Sequence, residues 1–132
     1  LQKYCASACT DVTGFGLMGH LIEMLSASNV IASINLKSLP LLSGAQELSL
    51  LGFESSLKQP NENSTKNNYQ AIEHSTYPLI FDPQTAGGLL FGVPQKNAEQ
   101  CIEELHKSTA PDATIIGSVS HNSASTSLVN FI

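Results

Sequence analysis

Two short segments of this 132-residue chain combine residue types that could do chemistry. The first is Asp11-Val12-Thr13-Gly14-Phe15-Gly16, followed by Leu17-Met18-Gly19-His20, a carboxylate and a hydroxyl ahead of two glycines where a helical pattern begins. A carboxylate is a hard oxygen ligand suited to Mg²⁺, and glycines let backbone N–H groups approach phosphate oxygens at the positive end of a helix. Asp11 could therefore hold a metal while Thr13, Gly14 and Gly16 shape a phosphate-binding turn. The same residues also fit a plainer account. Asp11 or Thr13 would cap the helix, Gly14 and Gly16 would supply turn dihedrals, and Gly19 would allow close packing. His20, one turn into the helix, fits a hydrogen-bonded helix residue and is left out of the site.

The second segment, Asp82-Pro83-Gln84-Thr85-Ala86-Gly87-Gly88, joins two apolar runs. Pro83 pre-sets a turn, Gly87 and Gly88 permit unusual dihedrals, and Gln84 and Thr85 offer hydrogen-bonding groups. Its plain account is a turn whose side chains satisfy its own backbone.

The elements that must position these loops follow from periodicity. Leu17, Leu21, Met24 and Leu25, widened by Met18 and Ile22, predict a helix that stops at Ser26 to Asn29. Val30 to Leu36 is β-branched and partly alternating, which predicts a strand before Leu39-Pro40. Ser43 is placed to cap a short helix through Ala45, Leu48 and Leu51, with Gly52 at its end. Residues 54–76 carry Ser, Asn, Lys, Gln and Pro with few large apolar side chains, which predicts a long, mobile surface loop.

After Tyr77-Pro78-Leu79-Ile80-Phe81 and the second loop comes LLFGV, Leu89 to Val93, expected as a central strand covered on both faces. Asn97 or Gln95 opens a helix with Ala98, Cys101, Ile102 and Leu105 on one stripe. A strand near Thr114 to Ser120, a turn of His121, Asn122 and Ser123, and the segment SLVNFI are expected to form a hairpin. The order predicts an α+β layered domain with a mixed β-sheet packed by helices.

Composition narrows the function. The chain has 42% hydrophobic residues, enough for one packed domain, and a net charge of −5 that argues against nucleic acid. No long apolar run or signal-peptide layout is present in these residues, so a soluble, cytoplasmic protein with no membrane partner is expected. The absence of Met at position 1 suggests a piece of a longer polypeptide. Cys5, Cys9 and Cys101 lack the spacing and partners of a disulfide framework or a zinc site, and are read as incidental thiols.

Together and in this order, DVTGFGLMGH and DPQTAGGLL resemble the carboxy-terminal half of the selenide, water dikinases, within the aminoimidazole ribonucleotide synthetase superfamily. The resemblance covers most of the chain, including Leu39-Pro40-Leu41 with Ala45 and the Ile115-Ile116-Gly117 segment. It implies a subunit that forms a homodimer, with ATP near the junction to its own amino-terminal domain and metal ions held by aspartates. The implied reaction converts ATP, selenide and water to selenophosphate, AMP and phosphate. By this resemblance Asp11 is a Mg²⁺ ligand, Thr13, Gly14 and Gly16 shape the ATP site, and Asp82, Gln84, Thr85, Gly87 and Gly88 line the junction or stabilise the domain. No residue is assigned a catalytic role.

The family's glycine-rich amino-terminal segment, with its reactive Cys or selenocysteine, has no counterpart here, and Cys5 and Cys9 are not that nucleophile. Alone, the domain is therefore expected to be inactive. Two departures stand out. A Gly-Gly-Thr and a following Asn common in the family are replaced by Ser55-Ser56-Leu57-Lys58-Gln59-Pro60-Asn61, where several asparagines align equally well, so no residue is carried over. Ala86 also replaces a frequent serine. Another ATP-dependent enzyme of the superfamily and a non-catalytic dimerisation or interaction module remain the alternative readings.

Overall fold

In the computed structural model, which describes residues 1–108, 110–122 and 125–132, the chemistry-bearing loops hang from a short antiparallel ribbon. Strand β1 (Ala8–Asp11) pairs with β2 (Leu89–Gly92), Asp11 standing opposite Leu89 and Ala8 opposite Gly92. The second described sheet has β3 (Val30–Ile34) at its centre. Strand β4 (Gly117–His121) lies antiparallel on one side of it, and β5 (Val129–Phe131) parallel on the other. The domain is thus α+β with a mixed sheet, as expected.

Helix α1 (Gly16–Ser28) covers this arrangement, burying Met18, Leu21 and Leu25 against Ala32 and Ile34 of β3, Leu36, Ile80, Phe81 and Val129. It ends where Asn29 turns into the left-handed region at φ 52°, a conformation that asparagine tolerates better than most residues. Rings of Tyr69, Tyr77, Phe81 and Phe131 meet at centroid distances of 5.2 to 6.4 Å, closing one end of the core. Such tilted and edge-on contacts add to the area they bury.

Four expectations are corrected. Leu89 to Val93 is not a doubly covered central strand: β2 pairs in the ribbon with β1, and Leu89 is 63% exposed. An apolar run of this length does not by itself distinguish a buried strand from one in a short ribbon. The segments around residues 117 and 129 do not form a hairpin, because each takes a different edge of β3. That placement sets Val129 beside Ala32 in the core, where it is 1% exposed. Ser123 of the expected turn lies outside the described residues.

The stretch 54–76 is not one structureless loop. It carries helix α3 (Lys58–Thr65), preceded in the chain by α2 (Ala45–Leu50), and buries Asn61, Thr65, Tyr69 and Thr76. Polar satisfaction holds it: the Thr65 hydroxyl donates to the Asn61 carbonyl at 3.0 Å, and Pro60 falls in the first turn, where its missing N–H costs nothing. Finally, Ser43 does not cap α2. Gly44 occupies that position at φ 83°, with no side-chain cap, and Gly52 follows the helix at φ 86°.

Helix α4 (Gln95–Lys107) buries Cys101 and half-buries Ala98, Ile102 and Leu105, the expected stripe. It opens at Gln95, while the Asn97 amide donates to the Tyr4 carbonyl at 3.1 Å. Glu104 accepts from Lys3 and from the Tyr4 hydroxyl, tying the amino-terminal turn to the same helix. The Lys3 hydrogen bond, then that of Tyr4, holds the Glu104 carboxyl below its usual range. Among the described residues no helix is long and apolar enough to cross a membrane.

Candidate functional site

The antiparallel register brings the two loops together. β1 runs into the first loop at Asp11, β2 leaves the second at Leu89, and these residues are partners. The contact continues past the ribbon, since the Val12 N–H donates to the Gly88 carbonyl at 3.0 Å and the Gln84 N–H donates to the Thr13 carbonyl at 3.0 Å. Gly16 also donates its N–H to the Thr13 carbonyl at 3.0 Å, so that oxygen accepts from both loops. Both of its lone pairs are thereby used.

Two glycines are set by space. A Cβ at Gly87 would lie 2.0 Å from the Val12 carbonyl oxygen, a contact that no side chain tolerates. Gly16 has φ +69°, and its Cβ would meet the Ile80 carbonyl oxygen at 2.8 Å. Gly14 and Gly88 have no such constraint: none of the described residues lies within 4 Å of a Cβ at either, and neither has positive φ. Gln84 turns its amide back on Asp82, 3.3 Å from the carbonyl and 3.4 Å from a carboxylate oxygen. Thr85 is exposed.

The capping account of the first loop fails. Phe15 occupies the position before α1 with no side-chain cap, so neither Asp11 nor Thr13 closes the helix. Asp11 is exposed at the end of β1, and the Thr13 hydroxyl lies 3.0 Å from His20 Nε2. Gly16 spends its N–H inside the turn, so it acts on the loop's shape rather than presenting that group to a ligand.

Two residues outside the expected set complete the junction. The Asn61 side chain donates one N–H to the Gly14 carbonyl and the other to the Phe81 carbonyl, each at 2.9 Å. A polar residue from α3 thus staples the first loop to the segment leading into the second. Local sequence does not single it out, because Asn61 stands in a polar stretch with further asparagines at 63, 67 and 68. His20 is 7% exposed and lies under Thr13, with the Phe15 ring centroid 5.8 Å away.

Asp11 supplies a hard, exposed oxygen donor. Among the described residues no cluster of three or more His, Cys, Asp or Glu side chains could hold a metal ion. The donor set fits a cation only as a contribution to a site completed by oxygen ligands from elsewhere, such as phosphates or another domain.

The paired loops at the end of the ribbon, tied together by backbone hydrogen bonds and braced by Asn61 of α3, belong to an α+β domain. The chain belongs to the family described as AIR synthase related protein, C-terminal domain, whose model matches residues 2–130. Similar proteins include "Selenide, water dikinase" of Clostridioides difficile (strain 630), 36% identical over 121 residues, which cover 89% of this chain and 35% of that protein. The protein of the same name from Caldanaerobacter subterraneus subsp. tengcongensis is 39% identical over 121 residues, covering 90% of this chain and 35% of its own. "Selenide, water dikinase 2" of Peptoclostridium acidaminophilum is 33% identical over 129 residues, covering 90% and 37%. The chain spans about a third of the length of these relatives.

Proposed function

We propose that this chain is the carboxy-terminal domain of a selenide, water dikinase, contributing to the ATP- and Mg²⁺-dependent formation of selenophosphate from selenide. The observation that carries the reading is the position of Asp11. It is an exposed carboxylate without a capping role, at the point where both family motifs are locked together. Breaking both phosphoanhydride bonds of ATP places its main demand on charge compensation at the phosphates. Bound Mg²⁺ would supply that compensation.

Asp11 would donate an oxygen to the cation, with Thr13 and the Gly14 backbone shaping the wall beside it. Gly16 and Gly87 hold the loops at their separation, and Gln84, Thr85 and Gly88 line the junction with the amino-terminal domain. That domain brings the remaining ligands, so the 132 residues alone should not turn over. The full-length protein would act as a cytoplasmic homodimer.

The test measures AMP release from ATP and selenide. The full-length parent should be active, its Asp11→Ala variant should lose Mg²⁺-dependent ATP binding, and the isolated chain should be silent. Robust turnover by the isolated chain, or equal Mg²⁺ and ATP binding by parent and variant, would overturn the proposal.

A further inference from the structure

His20 is the buried titratable side chain next to the proposed site whose chemistry the site leaves unexplained. One ring nitrogen, Nε2, lies 3.0 Å from the Thr13 hydroxyl oxygen. The other, Nδ1, is buried with no hydrogen-bond partner among the described residues, and the Glu23 carboxylate, one turn further along α1, stands 3.9 Å away. The neutral ring carries its proton on one nitrogen, and the surroundings of the two decide which. A bare Nδ1 lone pair facing a carboxylate would be repelled. An Nδ1–H facing it is attracted, directly or through a bridging water.

We propose that His20 is a positioning residue that carries its proton on Nδ1, toward Glu23, and accepts the Thr13 hydroxyl proton at Nε2, turning the Thr13 oxygen into a cation-facing acceptor beside Asp11. The assignment fixes the sign of the contact Thr13 offers. A hydroxyl that spends its proton on His20 cannot donate to a phosphate, yet its oxygen keeps lone pairs for a hard cation or an incoming N–H. The Thr13 carbonyl cannot take that role, because Gly16 and Gln84 already occupy it. Asp11 ends β1 and Thr13 follows two residues later in the loop, so the two would then form a two-oxygen contribution where sequence alone assigned the metal to one.

This inference rests on the proposed function for the cation, but not for the tautomer, and the experiment separates them. Ring ¹⁵N spectra of the 132-residue chain at pH 8 should show His20 protonated on Nδ1. Glu23→Ala, at an exposed position, should shift the proton toward Nε2. A proton on Nε2 in the wild type, or a tautomer indifferent to E23A, overturns the assignment.

In the full-length parent, Mn²⁺ binding followed by electron paramagnetic resonance should weaken roughly 2- to 10-fold in Thr13→Val, the size of one lost polar contact. Thr13→Ser should keep it. His20→Ala should weaken it similarly, and His20→Gln, whose Oε1 accepts a hydroxyl proton, should recover it. If D11A loses Mn²⁺ while T13V binds it normally, the role of Thr13 falls and the functional proposal stands. If the wild-type parent binds no Mn²⁺, both cation roles fall, and the spectra still decide the His20 tautomer.

Discussion

The side-chain amide of Asn61 reaches the carbonyl of Gly14 at 2.9 Å while its second N–H meets the carbonyl of Phe81 at the same distance. One side chain thereby satisfies two backbone acceptors, one in the first loop and one at the end of the segment that leads into the second. Removing it leaves two buried or partly buried carbonyls unpaired. We expect Asn61→Ala to destabilise the chain by about 2–4 kcal/mol, seen as a drop of several degrees or more in thermal unfolding. Asn61→Asp should do at least as much harm, because a carboxylate facing two carbonyl oxygens is repelled. An unchanged melting temperature in N61A would show that the staple is incidental.

Gly87 and Gly14 should separate shape from ligand contact. Gly87→Ala forces a methyl group to within 2.0 Å of the Val12 carbonyl oxygen, so the loops must part, at a cost of roughly 2–4 kcal/mol. Gly14→Ala meets nothing within 4 Å, so the chain should melt within about 0.5 kcal/mol of wild type. Any loss of ATP binding by the full-length Gly14→Ala variant would then report on the ligand rather than the fold. Chemical denaturation of both variants beside wild type checks the first part. Equal stability of the two would refute the packing argument.

The sequence carried α1, β3 and α4 because their apolar residues repeat with a helical or extended period and face one core. It also carried the two motif loops, through the resemblance they make together, since each alone fits a cap or a turn equally well. It did not carry α3, whose place depends on Asn61 and Thr65 being satisfied inside the protein. Hydrophobic periodicity is blind to a helix held in that way. Nor could the pairing of β5 with β3 be read, since Val129 and Ala32 are distant in the chain and a local hairpin satisfies the same alternation. The surroundings of His20 are hidden for a similar reason: neither the unpaired Nδ1 nor the contact of Nε2 with Thr13 is expressed in local spacing.

Alkaline stability should depend on Tyr77. Burial, and then the neighbouring Tyr69, push its phenol well above the ordinary range, and burial also raises Tyr69. Because the folded-state value is raised, the contribution is fully present below the unfolded value near 10. It is lost as pH climbs above that value, since the unfolded chain ionises first. Stability should fall by about 1 kcal/mol from this group between pH 8 and pH 11. Tyr77→Phe removes a buried hydroxyl that has no hydrogen bond of normal geometry among the described residues, so it should equal or exceed wild type by up to about 1 kcal/mol at pH 8 and lose less at pH 11. Parallel pH slopes for Y77F and wild type would refute this.

The three cysteines should report on the docking of α4. Cys5 and Cys9 are exposed, while Cys101 is 1% exposed on the helix face that meets the rest of the domain. A thiol reagent should therefore label Cys5 and Cys9 within the mixing time of a slow assay and reach Cys101 only when α4 opens. The helix is tethered in its last turn by Glu104 to Lys3 and Tyr4, and near its start by Asn97 to the Tyr4 carbonyl. Glu104 is half exposed, so solvent screens its ion pair and its tether is weak. Glu104→Ala should speed Cys101 labelling less than threefold, whereas Asn97→Ala, which leaves a backbone carbonyl without its donor, should speed it several-fold. Following labelling by mass spectrometry in native buffer and in rising urea distinguishes local from global opening. If Cys101 reacts as fast as Cys9 in native buffer, α4 is not docked in the way its buried stripe requires.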